Sequence, residues 1–251
     1  MTFRDRISRG VARLATVGTG VNFPVFYHKD HLAYFPDLDI VFNRVKKSGN
    51  TSICAFLAGL SGNPRAASAQ QLKKSLISPL DLPSGQLRGI VNDRYSFAAV
   101  RDPYARVLSA YLHRVDAGNP TPRDPLFSNG EYLGKPGFEK FLHELSDGKI
   151  LMNRHYWPQT DLLFKPAHKF ARIIKLETLA EGMSLVLRDN GLPEERALIL
   201  QAPHELERSQ AGKVTGASDR LARFYSDKSL RIVNELYSSD FATFSYPVRA
   251  K

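Results

Sequence analysis

Residues 39–60 read DIVFNRVKKSGNTSICAFLAGL, and the way this stretch divides sets the fold class. Ile40, Val41, Phe42 and Val45 form an apolar run suited to a buried strand. Lys46-Lys47-Ser48-Gly49-Asn50 then makes a compact loop holding two cations and one glycine. From Ile53 to Leu60 the apolar spacing is that of a helix, with Thr51 or Ser52 in position to cap it. A strand, a short basic loop and a helix N-terminus together suit a phosphate. The first-turn N–H groups have no partner inside the helix, and the positive end of its dipole points the same way.

Two further stretches repeat the pattern. Tyr95–Val100 is a second apolar strand, ending at Arg101-Asp102-Pro103. Tyr104, Val107, Leu108, Tyr111, Leu112 and Val115 follow at helical spacing, with Pro103 suited to the first turn and Asp102 to the N-cap. Residues 171–176 are the third strand, and Glu177–Asp189 a helix stopped by Asn190-Gly191. Three strand-then-helix units predict an α/β fold with a mainly parallel central sheet. Ligands in such sheets bind at the carboxyl ends of the strands, which brings Lys47, Arg101 and the Lys175–Glu177 turn to one edge. Between these units, residues 15–37 read as irregular, 61–89 as a loop with one short helix, and 116–137 as a long loop. Phe138–Leu145 reads as a short helix, 201–218 as another loop, and 219–237 as a last helix with a break near Ser226. Phe241, Phe244 and Tyr246 are then available to pack at the end of the chain.

The 251 residues carry 35 Lys and Arg against 25 Asp and Glu, a net charge of +10 that predicts an anionic partner without naming it. The single cysteine, Cys54, excludes an internal disulfide and reads as a buried thiol. No apolar run is long enough to span a bilayer, and the basic N-terminus lacks a signal-peptide core, so a cytoplasmic location is expected. Residues 1–37 form a basic segment. Within it, at 3–14, Phe3, Ile7, Val11 and Leu14 share a helical face, suited either to a peripheral membrane contact or to packing on the domain. Residues 38–247 read as one domain.

The two turns with charged tips narrow the chemistry. Lys46–Ser52 is not a Walker A loop: GxxxxGK[ST] is absent, the lysine precedes the glycine, and no acidic strand end offers itself to magnesium. In 100–114, VRDPYARVLSAYLHR, a guanidinium stands at a strand tip and Ser109 on the following helix, where Arg106, Ser109 and His113 share a stripe. Arg101 and Ser109 could grip a second phosphate; equally, Arg101 could cap a helix or pair with Asp102.

Together, the Lys46-Lys47-Ser48-Gly49-Asn50-Thr51-Ser52 loop and Arg101-Asp102-Pro103…Ser109-Ala110-Tyr111 resemble sulfotransferase family 2, which includes the Golgi carbohydrate sulfotransferases and their bacterial relatives. His155-Tyr156-Trp157-Pro158-Gln159, Ile174-Lys175-Leu176-Glu177-Thr178-Leu179 and Tyr237…Asp240-Phe241…Phe244…Tyr246 extend the resemblance over roughly 38 to 247, in order. It implies a P-loop-like, three-layer fold with helices flanking the sheet, and 3′-phosphoadenosine 5′-phosphosulfate (PAPS) as donor. It further implies that Lys46, Lys47, Ser48, Gly49, Asn50, Thr51 and Ser52 hold the 5′-phosphosulfate, that Arg101 and Ser109 hold the 3′-phosphate, and that no metal is needed. Lys47 would then stabilise the charge on the leaving phosphate. Two departures stand out. Lys46 replaces the family's proline, which is expected to loosen the start of the loop. The cysteines that follow the His-Trp segment in animal members are replaced by Leu163–Ala167, which fits a reducing compartment and a bacterial-type member.

The acceptor must lose a proton, which calls for a base with a pKa near neutrality. Among seven histidines His155 is the candidate, with His113 and the upstream Asp81 and Asp93 as alternatives. Glu177 either orients basic side chains or caps its helix. Trp157, Tyr156 and Phe164 either stack on a sugar or pack in the core. The expected activity is transfer of a sulfuryl group to a hydroxyl of a carbohydrate or glycolipid, with no nucleic-acid partner. The alternative is a non-catalytic protein that binds nucleic acid or a polyanionic glycan through its charge, though its basic residues are scattered.

Overall fold

The computed structural model describes residues 18–62, 71–72, 75–115, 124–127, 130–201 and 216–249. The basic stretch at 3–14 lies outside the described residues, as do parts of the loops at 61–89, 116–137 and 201–218. In chain order the structure runs α1 (Phe23–Phe26), β1 (Leu32–Phe35), β2 (Ile40–Asn43), α2 (Asn50–Leu60), α3 (Ser84–Asn92), β3 (Tyr95–Val100) and α4 (Pro103–Arg114). It continues with α5 (Gly134–Ser146), β4 (Arg172–Lys175), α6 (Leu179–Asp189), α7 (Leu221–Phe224), α8 (Asp227–Leu236) and α9 (Ser238–Phe244). Two compact units divide it: residues 1–100 with 162–212, and residues 101–161 with 213–251.

The first unit holds an open four-stranded sheet in the order β1-β2-β3-β4. β2, β3 and β4 are parallel, with Phe42 opposite Phe97 and Val100 opposite Lys175, so this is the mainly parallel α/β sheet that the strand–helix units predict. β1 pairs antiparallel with β2. Side chains alternate across the sheet. Ile40, Phe42, Phe97, Ala99 and Ile174 share one face, and Ile53, Cys54 and Leu57 of α2 with Met183, Val186 and Leu187 of α6 cover it. The Phe42 and Phe97 rings stack there with centroids 4.9 Å apart. Gly182 lets α6 come down on the sheet, because a Cβ at that position would lie 2.7 Å from the Cβ of Ile174.

Asn43 points to the opposite face, where its amide donates to the Leu162 carbonyl (3.0 Å) and accepts from the Phe164 N–H (2.8 Å). That fastens the 162–170 segment to the strand. Lys165 in this segment is buried. Its ammonium donates to the Val91 carbonyl (3.0 Å) and lies 5.3 Å from the ring centres of both Phe164 and Phe170. Burial, with Lys169 adding to it, pushes its pKa down to about 8.

Three sequence readings need correction. The segment 15–37 is not irregular throughout: it contains α1 and β1, and the four-residue β1 exists because β2 offers it an edge. The 61–89 segment does hold a short helix, but α3 runs from Ser84 past the expected end of the loop to Asn92 and buries Leu87, Ile90 and Val91 at i, i+3 and i+4. α5 begins at Gly134, four residues before the expected start at Phe138.

The second unit is helical around an aromatic core. Tyr111, Phe127, Phe138, Phe141 and Tyr156 are fully buried, their rings meeting mostly edge to face or tilted. Asp102 caps α4 through the Ala105 N–H (2.9 Å), with Pro103 at the first helical position as expected. The predicted break near Ser226 is real: Ser226 and Ser229 form a capping box that starts α8 after α7 has ended. No helix among the described residues is long and apolar enough to cross a membrane.

Candidate active site

The loop between β2 and α2 is built on backbone geometry. Lys47 has φ 70° and Gly49 φ 72°, both in the left-handed region. For glycine that conformation is free, but a lysine there costs about 1–2 kcal/mol. Gly49, not Thr51 or Ser52, is the N-cap of α2, so the expected cap is corrected by two or three residues. Thr51 and Ser52 sit inside the first turn, and the N-cap residue supplies no side-chain acceptor to the amides of Asn50, Thr51 and Ser52. A Cβ on Gly49 would lie 2.7 Å from Leu176 Cδ1.

Side chains around the loop hold that shape. The buried Arg44 donates through Nε to Asn50 Oδ1 (3.0 Å) and through a terminal nitrogen to the Lys29 carbonyl (3.3 Å). Cys54 Sγ, buried as expected, donates to the same Asn50 oxygen (3.3 Å). Lys46 Nζ donates to the Asp30 carbonyl (3.1 Å). The loosened start expected from the missing proline is therefore not found, since a lysine-to-carbonyl bond fastens the loop there instead. Lys46 and Asn50, both assigned to the ligand from sequence, have side chains bonded within the protein, Lys46 to the Asp30 carbonyl and Asn50 Oδ1 to Arg44 and Cys54. Lys47 is half-buried, and Ser48 and Ser52 are buried.

Arg101 follows directly after Val100 at the end of β3. Within the second unit its backbone is clamped: the Arg101 N–H donates to Gln159 Oε1 (2.9 Å), and Gln159 Nε2 donates back to the Arg101 carbonyl (2.8 Å). Gln159 is in turn fixed by Asp240, whose two oxygens accept the N–H groups of Gln159 (2.8 Å) and Thr160 (2.9 Å). Asp240 is fully buried, and desolvation raises its pKa, with Arg106 and these bonds working against the rise. Arg106 is buried as well, and its guanidinium donates to the Trp157 carbonyl (2.8 Å). The Arg101 guanidinium donates to Ser218 Oγ (3.0 Å), while Asp102 caps α4. Ser109 lies buried in the middle of α4.

His155 is half-buried, and its Nδ1 lies 2.9 Å from Asn153 Oδ1, which also accepts the His155 N–H (3.0 Å). Asn153 Nδ2 donates to Asp124 Oδ2 (2.8 Å), and Tyr156 Oη donates to the same oxygen (2.6 Å). Burial first, and the bond to Asp124 second, hold the Tyr156 phenol well above its ordinary pKa, so it stays a donor. The other candidates fall elsewhere. Asp81 is spent in a capping box with Ser78, Asp93 is exposed, and His113 lies near the C-terminal end of α4. Tyr156 and Phe164 are core residues and cannot stack on a sugar, whereas Trp157 is half-buried, with the Arg154 guanidinium 5.3 Å from its ring centre. Glu177 sits in a short 3-10 turn ahead of α6.

A family model described as the sulfotransferase family matches residues 30–247. The chain belongs to the sulfotransferase family. No curated protein and no solved structure matches it. The open, mostly parallel sheet is that of a sulfotransferase with a P-loop-like fold, and sulfuryl transfer is the activity the family carries. In this sulfotransferase the residues that sequence reading passed over are Arg44, Asp124 and Asn153. Nothing in the local pattern marks them, because each acts through a partner: Arg44 through Asn50 and Lys29, Asp124 through Asn153 and Tyr156. Gln159 and Asp240 stood within quoted motifs but had no assigned role. Among the described residues no group of three or more His, Cys, Asp and Glu side chains is gathered to hold a metal ion.

Proposed function

We propose that this sulfotransferase takes the sulfuryl group of PAPS and delivers it to a hydroxyl of a carbohydrate or glycolipid. The observation that carries the reading is the 46–52 loop. A lysine held in the left-handed region stands directly before a helix N-terminus that no N-cap side chain satisfies, where N–H groups and dipole favour an anion. In this proposal the amides of α2's first turn, with Ser48, Thr51 and Ser52, hold the 5′-phosphosulfate, and Arg101 with Ser109 takes the 3′-phosphate. Lys46 and Asn50 shape the loop. The acceptor oxygen attacks sulfur in line as the bond from sulfur to the bridging oxygen breaks. That electron pair stays on the 5′-phosphate, where Lys47 meets the growing charge. His155 takes the acceptor proton.

Trp157 and the exposed Leu151 and Met152, close to His155 in sequence, suit an acceptor with a sugar face or an apolar portion. A reducing, cytoplasmic setting belongs to the same proposal, supported by the single buried thiol.

Ligand-dependent unfolding tests the reading. At about 100 times its Kd, a ligand specific for the folded state adds about 2.7 kcal/mol of stability. The desulfated donor, 3′-phosphoadenosine 5′-phosphate, is expected to raise Tm clearly, and ATP with magnesium far less. Equal shifts, or none from the desulfated donor, overturn it.

A further inference from the structure

We infer that Asp124 and Asn153 are positioning residues that fix His155 in one tautomer, with the proton on Nδ1 and the lone pair on Nε2. The inference rests on the proposed role of His155 as base and extends it to two residues that never touch substrate. A carboxamide can face a neighbour with either its oxygen or its nitrogen, and shape alone does not decide which. Here two partners decide together: the His155 N–H can only donate, so the atom it meets at 3.0 Å is the amide oxygen, and Asp124 takes the other end. The Asn153 end that lies 2.8 Å from Asp124 Oδ2 is then the N–H₂ end, donating to an oxygen to which the Tyr156 hydroxyl also donates. The amide oxygen is thereby turned toward the ring, 2.9 Å from His155 Nδ1, and an acceptor at that distance requires a proton on Nδ1. Nε2 becomes the basic nitrogen.

The carboxylate is itself held in place. Asp124 is buried, Tyr156 donates to Oδ2 (2.6 Å), and the Leu126 N–H donates to Oδ1 (3.2 Å). Every bond in the chain therefore runs one way, from donors on Tyr156, Asn153 and His155 toward fixed acceptors. Asn153 Oδ1 also accepts the His155 N–H (3.0 Å), which fixes where the ring starts from its own backbone. A turn-forming asparagine needs only this last bond. The bond to Asp124, 29 residues away in sequence, adds a second hold on the same amide orientation, which a turn does not require.

The test is long-range proton–nitrogen NMR on the full chain labelled with ¹⁵N at histidine, at a pH where the ring is neutral. The His155 signals are assigned by their loss in His155→Gln. The wild type is expected to show Nδ1 protonated. Asp124→Asn, which weakens one of the two holds on the Asn153 amide, is expected to shift the tautomer populations and to give a kcat about tenfold lower at unchanged KM for the donor. Asn153→Ala, at a half-buried position, is expected to do the same and keeps the test open if the Asp124 variant does not fold. An Nε2-protonated wild type overturns the inference. So does an unchanged tautomer in both variants, or an altered tautomer with unchanged kcat. Full activity in His155→Gln instead overturns the base assignment, while the NMR result still judges the network.

Discussion

The loop at 46–52 and the segment at 153–160 both carry residues assigned to the chemistry, yet they are held in opposite ways. The loop is local. Its shape comes from two left-handed residues, Lys47 and Gly49, and from bonds that reach back no further than Lys29 and Asp30. The segment is almost entirely non-local. Gln159 is set by Asp240, 81 residues away, the Tyr156 carbonyl accepts from Tyr237, also 81 away, and Asn153 is set by Asp124. A loop that grips through its own amides needs glycine and a helix start. A segment that must aim side chains needs buried acids to hold it, and these are costly to leave half-satisfied. Substitutions in the loop should therefore damage chemistry more than stability, and loss of Asp240 under the segment should do the reverse.

The largest effect on that contrast is expected from Lys47→Ala. By removing the charge proposed to meet the leaving group it should lower kcat by about 10²–10³-fold, with a urea midpoint close to wild type. A loss below about tenfold would remove the loop from the chemistry. Asp240→Ala should fall mainly on stability. It leaves the Gln159 and Thr160 N–H groups without their acceptor and Arg106 without the nearby carboxylate, at a cost of about 3–5 kcal/mol in equilibrium unfolding. If instead it folded normally and lost only activity, the segment would not depend on buried acids.

Gly49→Ala is the intermediate case. A side chain at φ 72°, with its Cβ 2.7 Å from Leu176 Cδ1, should cost about 1–3 kcal/mol of stability and weaken donor binding as well. Binding unchanged alongside lost stability would show that the loop's shape does not matter to the ligand.

The smallest effect concerns a buried cation in the first unit and depends on pH. Folded Lys165 has a pKa of about 8, below the value of about 10.4 for a solvated lysine. Between those values the unfolded chain binds more protons, so stability attributable to this group rises with pH across the window, and its cost is complete only below about 8. Relative to Lys165→Met, the wild type should gain stability between pH 7 and pH 9.5, read by denaturant titration at each pH. A flat difference would mean that the ammonium is solvated and that the Val91 bond does not confine it.

What the sequence determined by itself was whatever short-range chemistry encodes. The three strand–helix units, the Asp102-Pro103 start of α4, the Asn190-Gly191 stop after α6 and the break at Ser226 are all set by side-chain shape, backbone freedom and hydrogen bonds within a few residues. The family, too, was legible, because its motifs lie in order along the chain. The tertiary structure decided what depends on partners far away in sequence. β1 is a strand because β2 presents an edge, α3 is a helix because the core takes its apolar face, and Lys46 serves the loop because the Asp30 carbonyl is within reach. Asp124 gained its role in the same way. A carboxylate in a proline-rich stretch carries no local sign of function, and only folding sets it against an asparagine whose other end faces a histidine. Local propensity acts over one turn of chain, whereas orienting a buried polar group requires its partner to arrive from elsewhere.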